Sequence, residues 1–116
     1  VDTEDWITLK ETNNNGFVGY NRLESNTIVT RYRKVKAKGK EAYQLVLENT
    51  PFYAESGGQT GDQGMLDFNG VSIPVIDTKK ENNLIIHFCE QLPATIGGPV
   101  VAKVDVSRRQ STAIHH

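Results

Sequence analysis

The dipeptide Asn69-Gly70 constrains this chain more than any other pair of residues. It separates two short runs rich in apolar and β-branched side chains, residues 65–68 and 71–77. Asn-Gly is the preferred pair for a two-residue type I′ hairpin, because both positions must reach positive φ. The chain is therefore expected to double back there as two antiparallel strands. Pro74, inside the second run, lacks a ladder donor, which places it at a sheet edge or a bulge.

Further turns follow the same logic. Asn13-Asn14-Asn15-Gly16, Lys38-Gly39 and Gly97-Gly98-Pro99 each break an apolar run, and no stretch sustains a 3.6-residue apolar period. A short strand is expected at Phe17-Val18-Gly19-Tyr20. In residues 27–36, Ile28, Val29, Tyr32 and Val35 alternate loosely with polar residues. Residues 41–48 alternate more clearly, with Tyr43, Leu45 and Leu47 on one face, so the two runs read as a hairpin. Residues 84–89 are almost continuously apolar, as in a strand covered on both faces. Val100, Ala102, Val104 and Val106 alternate as a last strand, and Ser107 is placed to cap a helix starting at Arg108-Arg109-Gln110. Many short strands with frequent turns predict an all-β fold, a small closed antiparallel barrel of Greek-key type with about six strands. Residues 1–15 lead in, 16–106 form the barrel, and 107–116 begin the helix. Trp6, with Ile7 or Leu9, is expected to pin the leading segment to the core. Asp77-Thr78 is expected to end a strand, with residues 79–83 turning the chain.

The least ordinary stretch is residues 50–64, TPFYAESGGQTGDQG, with four glycines in fifteen positions. Pro51 closes the strand before it. Gly57-Gly58 permits a tight presented loop and close approach of a partner, and Gln59 offers a donor and an acceptor beside them. Gly61 and Gly64 bracket Asp62 in a second turn. A turn-stabilising role accounts for Glu55 and Asp62 as well as a chemical one does.

A length of 116 residues suits one domain, which buries roughly two-thirds of its unfolded surface. One cysteine, Cys89, excludes an internal disulfide, and no signal-like or membrane-spanning run stands out, so a cytoplasmic location is expected. The formal net charge of −1 excludes a general basic coat, leaving any RNA contact to a local patch. Six of the thirteen basic residues, Arg31, Arg33, Lys34, Lys36, Lys38 and Lys40, fall within ten positions. Strand alternation sends Arg31 and Arg33 one way and Lys34 and Lys36 the other. This patch reads either as contacts to an RNA backbone or as a solvated edge guarded from aggregation by lysines. His87 reads as a hydrogen-bonded structural group and Cys89 as a small buried hydrophobe. The abrupt start at Val1 and stop at His116 read as a piece of a longer protein. No Walker loop, serine nucleophile motif or announced carboxylate pair is present, so no catalytic residue is assigned.

The run Phe52-Tyr53-Ala54-Glu55-Ser56-Gly57-Gly58-Gln59, followed by Gly61-Asp62 and Gly64, resembles the glycine-rich segment of alanyl-tRNA synthetases, class II enzymes that carry it in the barrel half of their editing region. Nearly the whole chain shares the resemblance, more loosely outside residues 50–64. Free-standing alanyl-tRNA editing proteins share Gly-Gly-Gln but usually have a third glycine where Ser56 stands. Peptide release factors share the tripeptide alone. The resemblance implies a barrel like that of translation proteins, supporting the editing site and the tRNA acceptor end. The full protein would ligate alanine to its tRNA with ATP and magnesium and hydrolyse Ser- or Gly-tRNA formed in error. Ser56, Gly57, Gly58 and Gln59 would face the tRNA end, and Arg31, Arg33, Lys34 and Lys36 would touch its backbone. His116 resembles the first histidine of a His-x-x-x-His motif that binds zinc at the editing site, its partner lying four residues on. His115 stands where the family usually has asparagine, and the two terminal histidines also read as remnants of a purification tag. As partners, the tRNA for alanine and the other domains of the synthetase are implied. A free-standing trans-editing protein and a non-catalytic RNA-binding barrel stay open beside this reading.

Overall fold

The computed structural model describes residues 2–3, 5–11, 16–19, 23–37, 39–54, 61–81 and 84–105. Its strands, in chain order, are β1 (Asp2–Thr3), β2 (Ile7–Thr8), β3 (Gly16–Phe17), β4 (Glu24–Ala37), β5 (Lys40–Leu47), β6 (Asn49–Thr50), β7 (Gly64–Phe68), β8 (Val71–Val75), β9 (Asp77–Glu81), β10 (Leu84–Cys89) and β11 (Pro99–Val104). The main sheet runs β8-β7-β11-β4-β5-β10-β9, and β1 and β2 pair with the second half of β4. All of its ladders are antiparallel; β3 and β6 form a separate parallel pair. The all-β antiparallel expectation holds, with more strands than foreseen and a β4 that extends beyond the expected run of residues 27–36.

The two ends of the sheet path, β8 and β9, are consecutive in the chain and joined by Ile76 alone. Its N–H donates to the Phe88 carbonyl at 2.8 Å, so the sheet curls until its ends approach. Among the described residues no ladder joins β8 to β9 directly. The enclosed core gathers Val29, Leu45, Leu47, Phe52, Leu66, Phe68, Ile73, Val75, Cys89, Val100, Ala102 and Val104.

Asn69 and Gly70 adopt φ of 55° and 101°, the pair of positive values that a type I′ turn requires, and Phe68 faces Val71 across it. Pro74 lies in β8, at an end of the sheet path, where its missing N–H breaks no second ladder. Residues 84–89 are covered on both sides as expected: Cys89 joins the core, while Ile86, opposite Val46 on the other face, is 1% exposed.

Two expectations are corrected. Residues 79–81 do not turn the chain but continue β9, pairing with β10 from Asp77↔Phe88 to Glu81↔Leu84; a strand at the end of the path tolerates lysines on its exposed side. Ile7 and Leu9 do not enter the core, being 47% and 42% exposed. Backbone pairing with β4 fixes the leading segment instead, and Trp6 lies against Arg33.

A β-bulge makes that pairing possible. Val29 faces Leu47 and Arg31 faces Val46, leaving Thr30 as the extra residue. Its carbonyl accepts the N–H groups of Leu9 and Lys10 at 2.7 and 3.1 Å, and its hydroxyl donates to the Val46 carbonyl at 3.1 Å. Past the bulge the side-chain phase shifts by one, so Tyr32 stays on the core side with Leu45 while Arg31 and Arg33 turn outward with Val46 and Gln44. The expected helix over residues 107–116 lies outside the described residues. No helix among the described residues is long and apolar enough to cross a membrane.

Candidate functional site

The glycine-rich stretch runs from the end of β6 at Thr50 to the start of β7 at Gly64, and between these strands Tyr53 and Asp62 are tied face to face. Asp62 N–H donates to the Tyr53 carbonyl at 2.9 Å, and Tyr53 N–H donates to the Asp62 carboxylate at 2.8 Å. Gly61 N–H donates to Asp77 Oδ1 at 2.8 Å, which also accepts Thr78 N–H at 2.8 Å. Asp62 is thus a loop-closing residue, as the turn-stabilising reading held. Ser56, Gly57, Gly58 and Gln59 lie outside the described residues.

Gly61 is fixed by space. A Cβ built there would collide with the Thr78 carbonyl oxygen and crowd the Tyr53 carbonyl, both backbone groups that cannot swing away. Gly61→Ala should cost about 1–3 kcal/mol and loosen the neck. Urea unfolding with amide exchange at Tyr53 and Asp62 measures both, and unchanged protection would show that the backbone accommodates a methyl group.

Beneath the neck lies a buried polar chain. Thr50, His87 and Thr78 are 2%, 0% and 0% exposed. His87 Nδ1 lies 3.0 Å from the Leu45 carbonyl, which only accepts, so Nδ1 carries the proton. Nε2 is then an acceptor and receives the Thr50 hydroxyl at 2.7 Å, while Thr50 Oγ1 accepts Phe52 N–H at 3.0 Å. Phe52, 0% exposed, sets its ring edge-to-face with the imidazole at 5.2 Å. Burial holds the imidazole neutral by lowering its pKa to about 4, against a smaller opposing effect of the Leu45 carbonyl. His87 is the structural histidine the sequence suggested. Thr50, Asp77 and Thr78 were not singled out as a group; the only local signal is Asp-Thr after a strand, a pair suited to the side-chain-to-backbone bond seen at Asp77.

Two of the basic hairpin residues, Arg33 and Lys34, are engaged within the chain. The Arg33 guanidinium sits 4.2 Å from the Trp6 ring centroid, and its Nε donates to Gln44 Oε1 at 2.7 Å. Lys34 pairs with Glu41 at 3.1 Å, and Lys36 is exposed. Arg31 is half-buried over Val46, its Nε shielded and without a hydrogen-bond partner.

Comparison with known proteins completes the picture. The family model of class II tRNA synthetases (A) matches residues 1–108, nearly the whole chain. The chain belongs to the class II tRNA synthetases (A). Over its full length it is 53% identical to the alanine–tRNA ligase of Cytophaga hutchinsonii, 51% to that of Bacteroides fragilis and 48% to that of Bacteroides thetaiotaomicron. It spans 13% of the length of each of these relatives.

For this class II tRNA synthetase (A) segment, the donor set decides whether zinc fits. His87 engages both ring nitrogens, and burial pushes the Cys89 thiol up to about 12, far from the thiolate a metal needs. Among the described residues no three His, Cys, Asp or Glu side chains converge. The described residues therefore do not make a zinc site, and His116 lies outside them.

Proposed function

We propose that the chain is the part of an alanine–tRNA ligase that supports the editing site and the tRNA acceptor end. In this reading the whole protein joins alanine to its tRNA with ATP and hydrolyses Ser- or Gly-tRNA made in error. The chain's own contribution is to present the Ser56-Gly57-Gly58-Gln59 segment, whose backbone N–H groups and glutamine amide hold the terminal adenosine or the misplaced aminoacyl group. The observation that carries the reading is the doubly hydrogen-bonded pair Tyr53 and Asp62, which brackets the Gly-Gly-Gln segment in the sequence. The length of the relatives, of which the chain spans 13%, favours a synthetase over a free-standing editing protein. Metal ligands, ATP and magnesium would be supplied from elsewhere in the full protein.

Gly58→Ala in the full-length ligase tests this reading, because a Cβ keeps the RNA end away from the backbone. Hydrolysis of Ser-tRNA is expected to fall by roughly tenfold or more, as for lost hydrogen-bond donors at a reacting group, with alanine charging unchanged. Undiminished editing by a folded variant sinks the contact model.

A further inference from the structure

Both feet of the glycine-rich loop rest on one rung of the sheet. His87 in β10 and Thr78 in β9 are direct cross-strand partners, and both side chains are fully buried. From this rung His87 holds the outgoing foot: its Nε2 accepts the Thr50 hydroxyl at 2.7 Å, and Thr50 Oγ1 accepts Phe52 N–H at 3.0 Å. Thr78 holds the returning foot, donating its hydroxyl to the Asp62 carbonyl at 2.8 Å. The neck between Tyr53 and Asp62 is thus set from below by two adjacent side chains.

Sequence separation makes the arrangement notable in physical terms. Residues 50–53 and 61–62 are two chain segments that meet only at the neck, and each is anchored by a different strand of the same hairpin. A hydroxyl in a buried network keeps its acceptor oxygen at roughly 2.5–3.0 Å, and the low dielectric strengthens that bond. Thr30 offers a comparison within the same fold: its buried hydroxyl also donates to a carbonyl, that of Val46 at 3.1 Å, but it serves the bulge in β4.

We propose that the His87–Thr78 rung positions the glycine-rich loop for the editing reaction, with Thr50, Thr78 and His87 as positioning residues that act through the neck and touch no substrate. This rests on the editing role proposed above. Small displacements of a positioned group cost rate out of proportion to stability, so the rung should govern hydrolysis of the mischarged ester more than the fold's survival.

The test uses full-length ligase carrying Thr50→Val, Thr78→Val, Thr30→Val or Gly58→Ala. Valine keeps the shape of threonine and removes the hydroxyl. Thr50→Val and Thr78→Val should lower kcat for Ser-tRNA hydrolysis by roughly ten- to a hundredfold, with alanine charging intact and faster amide exchange at Tyr53 and Asp62. Thr78→Ser, which restores the hydroxyl, should recover most of the loss. Thr30→Val, similar in burial, should leave editing within about twofold of wild type, as expected for a site that adds independently. Equal losses in all three threonine variants would make the effect one of general stability and overturn the proposal. Editing impaired by Gly58→Ala but untouched by Thr50→Val and Thr78→Val would overturn it while leaving the loop's role standing. If Gly58→Ala also leaves editing intact, the loop reading fails, and the proposal with it.

Discussion

Replacing Phe52 by alanine should lower the unfolding free energy by about 3–5 kcal/mol. The ring is 0% exposed, belongs to the central apolar cluster and meets the His87 imidazole edge-on at 5.2 Å. Its removal leaves a cavity that the surrounding strands cannot collapse into, since the backbone on either side is tied: Phe52 N–H to Thr50, and Tyr53 twice to Asp62. A single domain has about 5–15 kcal/mol in total, so the variant should lose a large share of it and melt more than roughly 10 °C lower. Tyr53→Ala supplies the contrast. That neighbour is 49% exposed, and among the described residues its ring makes an edge contact with Phe17 at 5.8 Å, so its loss should cost about 1 kcal/mol or less. Urea unfolding of the two variants side by side decides the matter, and equal costs would mean that the ring does not anchor the core.

Acidification should unfold the chain earlier than its carboxylates alone require. The His87 pKa falls from 6.5 to about 4 on folding. Between those values the unfolded chain binds a proton that the folded chain refuses, so stability rises with pH across this window and is lost as pH drops through it. Above 6.5 both states are neutral and the full stability is present. Converted at 1.36 kcal/mol per pH unit, the loss down to pH 4 is about 3 kcal/mol. The physical cause is desolvation, because both ring nitrogens are already committed to Thr50 and Leu45 and an imidazolium would face the Thr50 oxygen with a second donor. His87→Gln lacks this titration, so the stability gap between wild type and variant should narrow as pH falls from 6.5 to 4. Parallel profiles across that range would contradict a buried neutral histidine.

Much of the strand plan was legible because it is local. The Asn69-Gly70 turn follows from the positive φ its two positions need, and Pro74 announces an edge because it has no N–H to give. The continuous apolar run of β10 announces burial on both faces, and Cys89 is indeed shielded. Less legible was β9, whose lysines read as a turn until its place at the end of the sheet path explained them. The anchoring of the leading segment was missed for a similar reason. Ile7 and Leu9 look like core residues, yet the segment is held by backbone bonds to a bulge at Thr30 that no local pattern announces.

Neighbouring residues alone write the Asn69-Gly70 turn, the antiparallel strand pattern and the family that the glycine-rich stretch resembles. What holds the two ends of that stretch comes from strand pairing across the sheet. Thr50, Asp62, Thr78 and His87 come from four separate segments, and nothing in their spacing brings them together. The register of β9 on β10 places Thr78 beside His87, and the pairing of β5 with β10 delivers the Leu45 carbonyl that fixes the imidazole tautomer. Hydrogen-bond partners are chosen by strand register, and register is a property of the whole sheet.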